Sequence, residues 1–301
     1  SVQEVRVLSS GLENLSGNKS AQGGLDDIVQ LSKLGSEGNV GYVIDVGFNE
    51  MFNLSSGVNS FEDLYDVEEY GNFIGSKGDD IILGGASHGV GLSGGIGNDV
   101  LYGSELDFLR YDLEEELVTE EIIGSTINKI NDHVEINLGN DDLQLNDILI
   151  DSRSAEDMWG DTDTISGIEN AYGTSGDDAI FGSVNNNQIY AGSGDDFIYG
   201  GSGSDILDGG EGEDMFVFLQ SDLEAGNNDT DIIENFNVNE DKISFDTLGM
   251  SDVEIELVDN EGGADAILSF NDHADWGSIV LIDVGRLDTE DIIIDSGVAV
   301  G

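Results

Sequence analysis

The chain has 301 residues carrying 64 Asp and Glu against 9 Lys and Arg, a formal net charge of -55 at pH 7, with 43 Gly, no Pro and no Cys. A surface so short of cations cannot neutralise a phosphate lattice, which excludes nucleic acid as a partner, and the lack of Cys excludes a disulfide framework and a thiol nucleophile. Hydrophobic residues at 38% suffice to bury cores, while no apolar run reaches the roughly 18 residues that would span a bilayer.

The chain opens at Ser1 with neither Met nor a basic-then-apolar leader, and it reads as a piece of a longer protein. Residues 1–70 form a small mixed segment without a recognisable chemical motif. Within it LDDIVQLSKLG, from Leu25 to Gly35, predicts a short helix with an acidic start and a Gly stop. Alternation of Val40, Tyr42, Ile44 and Val46 predicts a half-buried strand, and Ser60 with Asp63 predicts a capped helix through Tyr65.

Residues 71–102 hold a first block of nine-residue units: GSKGDDIIL at 75–83, a degraded GGASHGVGL at 84–92 and, after an extra Ser93, GGIGNDVLY at 94–102. Residues 103–172 interrupt the period and predict an inserted lobe. It has strand patterns at His133–Leu138 and Leu143–Ile150 and ends in DTDTISGIENAYG at 161–173. Residues 173–218 return to the period in unbroken register, as GTSGDDAIF, GSVNNNQIY, AGSGDDFIY, GGSGSDILD and GGEGEDMFV. After Phe218 the period stops. In residues 219–301, strand patterns at Val253–Val258, Ala266–Phe270 and Ser278–Val284, joined by turn-rich segments, predict an antiparallel β cap.

Each unit has Gly near its start and at its fourth place, Asp or Asn at its sixth and an apolar residue at its eighth. Glycines allow a tight turn with close backbone approach, so carbonyls and the sixth-place side chain can converge on one point. The last three residues form a short strand whose eighth-place side chain (Ile82, Leu101, Ile180, Ile189, Ile198, Leu207, Phe216) faces inward. One turn and one strand per unit send successive turns to alternate edges of a flattened coil. Asp178, Asp196 and Asp214 then line one edge, and Asn187 and Asp205 the other. In the first block Asp80 and Asp99 form the corresponding pair, with Gly89 at the sixth place of the unit between.

These units resemble the calcium-binding nonapeptide of RTX proteins, GGxGxDxUx. The resemblance implies a mainly β fold: a split parallel β-roll with the mixed N-terminal segment, the inserted lobe and the antiparallel C-terminal cap. It implies calcium held by turn carbonyls and by Asp80, Asp99, Asp178, Asn187, Asp196, Asp205 and Asp214. Pairing same-edge turns gives three sites in the second block and one in the first, so about four in all, the site containing Asn187 being the weakest of its block. The phrase DTISGIEN is similar to one that precedes a resuming roll. NDTDIIENFNVNEDKISFDTL, from Asn228 to Leu248, is similar to the stretch that follows the roll in proteins exported by type I secretion. The resemblance therefore also implies a secreted or cell-surface location and an uncleaved secretion signal near TEDIIIDSGVAVG.

Other strings carry less. Gly91-Leu92-Ser93-Gly94-Gly95 fits the G-x-S-x-G elbow but lies inside a repeat block, without the strand-to-helix context. His88, His133 and His273 form no HExxH motif. Trp159 and Trp276 read as core residues rather than sugar platforms. Asp229, Asp231 and Asp241, and Asp161 with Asp163, are acidic groups without regular spacing. The function expected is a non-catalytic, calcium-dependent folding and export module of a large secreted bacterial RTX protein, an adhesin acting in cell adhesion and biofilm. Its partners would be calcium, the type I secretion machinery and surface glycans or peptides. The alternatives are a carbohydrate- or peptide-binding module on an RTX scaffold and the accessory segment of a secreted enzyme.

Overall fold

A computed structural model describes residues 72–75, 79–84, 89–115, 133–145, 148–224, 229–245, 253–259, 264–270, 276–282 and 284, together with strand backbones at 4–8, 28–32, 42–45, 50–53 and 292–293. In chain order the strands are β1 Glu4–Leu8, β2 Ile28–Ser32, β3 Tyr42–Asp45, β4 Glu50–Asn53, β5 Asn72–Ile74, β6 Ile81–Leu83, β7 Gly91–Ser93, β8 Val100–Tyr102 and β9 Phe108–Arg110, followed by the single helical turn α1 Asp112–Glu115. Then come β10 Glu135–Asn137, β11 Leu143–Leu145, β12 Ile148–Ile150, β13 Ser154–Glu156, β14 Thr162–Ser166 and β15 Asn170–Tyr172. The second repeat block gives β16 Ala179–Ser183, β17 Gln188–Ser193, β18 Phe197–Gly201, β19 Ile206–Glu211 and β20 Met215–Phe218. After it lie α2 Gln220–Leu223, β21 Thr230–Glu234, β22 Lys242–Phe245, β23 Val253–Asp259, β24 Ala264–Phe270, β25 Ser278–Leu281 and β26 Ile292–Ile293.

Two compact units divide the chain: Ser1–Asn131 with Ser154–Asn170, and Asp132–Arg153 with Ala171–Gly301. In the first, β2, β5, β7 and β9 pair in parallel, with β1 antiparallel on β2; β14, β8, β6 and β3 form a second parallel set flanked by antiparallel β13 and β4. From β5 to β9 consecutive strands alternate between the two sets, which is how a flattened coil winds. Phe73, Leu92 and Leu109 stand in register on one sheet and Ile82, Leu101 and Ile165 on the other, all fully buried.

The second unit repeats the arrangement. Strands β17, β19, β21 and β25 pair in parallel and carry the inward column Ile189, Leu207, Ile233, Leu281. Strands β10, β16, β18, β20, β22 and β26 carry Ile136, Ile180, Ile198, Phe216 and Ile243. Same-sheet partners within the repeats are eighteen residues apart, as Ile180 with Ile198 and Ile189 with Leu207. All seven eighth-place side chains are 0% exposed, each contributing about 1.5–3 kcal/mol of burial. The predicted C-terminal cap is present: β24 is antiparallel to both β23 and β25, and β25 joins the roll through β21.

Three details differ from the sequence reading. The predicted helix from Leu25 to Gly35 holds a strand, β2, hydrogen-bonded to β1 and β5. So short a run gains little from helix nucleation, while β-branched Ile28 and Val29 suit a two-sided ladder. Leu143–Ile150 is an antiparallel pair, with Leu143 opposite Ile150. This β11–β12 hairpin lends Leu145 and Ile150 to a buried cluster with Ala179, Phe181, Tyr199, Val217 and Leu219. Finally, the residue inserted into the degraded unit precedes Val90 rather than being Ser93. Leu92, not Gly91, takes the inward place between Phe73 and Leu109, because a glycine there would leave the column without a side chain. The helix predicted around Ser60–Tyr65 lies outside the described residues, as do His88 and His273.

Inside the stretch expected as a lobe, β9 pairs with β7, β14 with β8 and β10 with β16, all in parallel.

Candidate metal centres in the stacked turns

The sixth-place side chains of Asp99, Asp178, Asp196, Asp205 and Asp214 each accept the amide hydrogen of the preceding strand's turn on the same edge. On one edge of the second unit the Asp178 amide donates to Asp196 Oδ1 at 2.8 Å, Asp196 to Asp214 Oδ1 at 3.0 Å, and Asp214 to Asp241 Oδ1 at 3.1 Å; Val134 begins the series by donating to Asp178 Oδ1 at 2.7 Å. On the other edge Asn187 donates to Asp205 Oδ1 at 2.8 Å and Asp205 to Asp231 Oδ1 at 3.0 Å. In the first unit Asp80 donates to Asp99 Oδ1 at 2.5 Å and Asp99 to Asp163 Oδ1 at 2.9 Å, while Val90 donates to Asp107 Oδ1 at 3.0 Å across the opposite edge. The structure thus brings Asp178, Asp196 and Asp214 onto one edge, Asn187 and Asp205 onto another, and Asp80 beside Asp99. Val90, not Gly89, fills the sixth place between the last two.

Four rungs went unassigned in the sequence: Asp107, Asp163, Asp231 and Asp241. Insertions or deletions change their spacing, to 26 residues between Asp205 and Asp231 and 27 between Asp214 and Asp241. One local signal survives. Each is followed two residues later by a fully buried apolar residue, namely Leu109, Ile165, Ile233 and Ile243.

All of these carboxylates are buried, and Oδ2 of Asp99, Asp196, Asp205 and Asp214 has no hydrogen-bond partner. Burial pushes Asp196 and Asp205 up to about 8, helped by the charges of Asp178 and Asp214 on the first and of Asp231 on the second. Burial likewise raises Asp178 and Asp214 to about 6 and Asp231 to about 7, against amide hydrogen bonds that pull each back down. An ionised, buried oxygen without a donor is costly, so the turns call for a proton or a cation. Among the described residues no three His, Cys, Asp or Glu side chains converge on one point. An ion would therefore take one or two carboxylates and complete its shell with backbone oxygens, a donor set that suits calcium, which binds six to eight hard oxygens.

The backbone leaves room only for hydrogen at these corners. Gly210 has φ 98°, and a methyl group there would overlap the carbonyl oxygen of Gly192 in the turn beneath. Gly210→Ala is expected to cost about 1–3 kcal/mol through its backbone angle alone, and more through the overlap. Thermal unfolding in calcium checks this, and an unchanged midpoint would contradict the stacking of turns 192 and 210.

The remaining candidates are placed as follows. Ser93 is fully buried in β7 and gives its hydroxyl to Glu114 Oε1 at 2.5 Å, so it is no exposed elbow. Trp159 is buried and Trp276 packs on Phe270 at 5.6 Å. No described helix is long and apolar enough to cross a membrane.

Residues 72–88, 92–105, 163–197 and 181–216 match the RTX calcium-binding nonapeptide repeat, described as four copies. No curated protein matches the chain. Similar solved structures include two subunits of the Azotobacter vinelandii mannuronan C5-epimerase. One is 26% identical, with 42% of this chain and 78% of that one covered and a TM-score of 0.35; the other is 25% identical, with 41% and 91% covered and a TM-score of 0.30. The extracellular lipase of Serratia marcescens is 15% identical, with 80% of this chain but 42% of the lipase covered and a TM-score of 0.24.

Proposed function

Because the chain carries RTX calcium-binding nonapeptide repeats, we propose that it is a non-catalytic module of a large secreted bacterial adhesin, folding on calcium after export by type I secretion. The observation that carries this is the set of buried, unpartnered Oδ2 atoms of Asp99, Asp196, Asp205 and Asp214. Calcium, when bound, supplies the positive charge those oxygens lack. The chain's own residues do the rest. Sixth-place Oδ1 atoms accept amide hydrogens from the neighbouring turn and fix its height. First-place glycines such as Gly209 back directly on the Asp214 carboxylate, and the eighth-place column closes the coil.

In a cytoplasm poor in free calcium the rungs stay charged and repel, and the chain is held extended enough to pass a secretion channel. Extracellular modules typically bind calcium with Kd of about 10⁻⁴ to 10⁻³ M, so millimolar calcium outside drives closure, and binding free energy becomes folding free energy. The seven repeat residues Asp80, Asp99, Asp178, Asn187, Asp196, Asp205 and Asp214 are the proposed ligands, giving about four ions when same-edge turns are paired.

The test contrasts two rungs. Asp196 is bonded on both sides, to Asp178 and Asp214, whereas in the repeats Asp80 begins its series at Asp99. By calorimetry Asp196→Asn is expected to lower the calcium affinity of folding more than Asp80→Asn. Equal effects would refute a ligand shared between two same-edge sites.

A further inference from the structure

We propose that Glu114 and Asp157 form a buried cation site in the first unit, outside the nonapeptide turns, with calcium as the ion it takes. Glu114 lies on α1, directly after the roll strand β9. Its Oε1 accepts from Ser93 Oγ at 2.5 Å and from the Gly95 amide at 3.2 Å, which draws the carboxylate onto the start of the turn at 94–99. Asp157 stands between β13 and β14, its Oδ1 accepting from the amides of Trp159 and Asp161 at 2.9 Å each. The second oxygens, Glu114 Oε2 and Asp157 Oδ2, belong to side chains that are 0% exposed, and neither makes a hydrogen bond of normal geometry, although the buried Trp159 indole N–H lies close enough to Glu114 to favour its charged form.

The surroundings favour a cation over a lone buried charge. Glu114 is the strongest charged neighbour of Asp157, Asp163 acts on both, and Asp99 feels Asp163 and Glu114. Asp163 is itself committed to the Asp99 amide and the Tyr111 hydroxyl. Among the described residues no Lys, Arg or His bonds to any of the four; Arg110, on the adjacent strand, is held by Asp112 and Asn72. Leaving a buried charge without a counter-charge is among the costliest of electrostatic defects, and here Glu114 and Asp163 both act on Asp157. With no third carboxylate converging, the ion would be bound by Glu114 and Asp157 and completed by turn carbonyls and water, as hard-cation chemistry allows. Neither residue falls in a nonapeptide match. This inference goes beyond the repeat-turn reading and stands without it.

The experiment uses the full chain in a Trp276→Phe background, which leaves Trp159, two residues from Asp157, as the single tryptophan. Terbium replaces calcium as the probe, and its emission is excited through tryptophan. The expected result is saturable emission that calcium displaces. Glu114→Gln and Asp157→Asn should each abolish it and each lower the calcium count at saturation by one, while Glu256→Gln, at an exposed acid of β23, should leave it unchanged. Unaltered emission and ion count in both first-unit variants would overturn the site. Loss of emission with Asp196→Asn but not with Glu114→Gln would also overturn it, by moving the ion into the repeats. Should Asp196→Asn have no effect on any binding, it is the repeat-turn reading that fails. A first-unit variant that folds only at raised calcium supports the site, and a folding deficit that calcium does not relieve counts against it.

Discussion

Removing calcium with a chelator is expected to abolish most of the β signal in circular dichroism at neutral pH, and restoring it should return the signal. Neighbouring rungs such as Asp196 and Asp214 lie one strand spacing apart, about 4.8 Å. There two ionised carboxylates repel by about 3.5 kcal/mol at an effective dielectric near 20, and holding one of them protonated at neutral pH instead also costs free energy, since the unfolded carboxyl ionises at about pH 4. An inward Ile or Leu contributes only about 1.5–3 kcal/mol. Each turn of the coil thus adds a repulsion as large as the burial it gains, before any chain entropy is counted. Spectra unchanged by chelation would mean that some other group neutralises the rungs, and the proposed export switch would fail with them.

What could be read in the sequence followed from where the period was intact. Five unbroken units from Gly173 fixed the inward column, the alternation of edges and the eighteen-residue pairing, since a single residue's slip would turn every Ile and Leu outward. Where spacing changed, the physics persisted while the count did not. Asp231 and Asp241 continue the two ladders of the second unit although 26 and 27 residues separate them from their neighbours. Strand register is set by inward burial, and loop length between strands is nearly free. In the degraded unit, counting nine puts Gly89 at the sixth place, whereas the ladder selects Val90, and burial brings Leu92 inward. Glu114 and Asp157 left no periodic trace, because a charged residue on a one-turn helix or in a strand connection looks like any solvated acid until its burial is known.

Acidification should act in opposite directions with and without calcium. In the metal-free roll, burial and neighbouring charge raise Asp196 and Asp205 to about 8, Asp231 to about 7, and Asp178 and Asp214 to about 6, all from an ordinary value of 3.8. Between about pH 4 and 8 the folded chain therefore binds more protons than the unfolded chain, and stability falls as pH rises. The stabilisation is fully present below about pH 4 and is lost stepwise as pH climbs through the folded values. With calcium the order reverses, since ligand carboxylates must be deprotonated and protons compete with the ion. Thermal midpoints measured across this range are thus expected to fall with rising pH in chelator and to rise with it in calcium, the two curves crossing. The general relief of a -55 net charge could mimic the first slope, so the double variant Asp196→Asn, Asp205→Asn serves as the control. It should make the chelator curve shallower, most of all near pH 8, whereas a slope left intact would assign the pH dependence to the exposed acids and not to these two buried rungs.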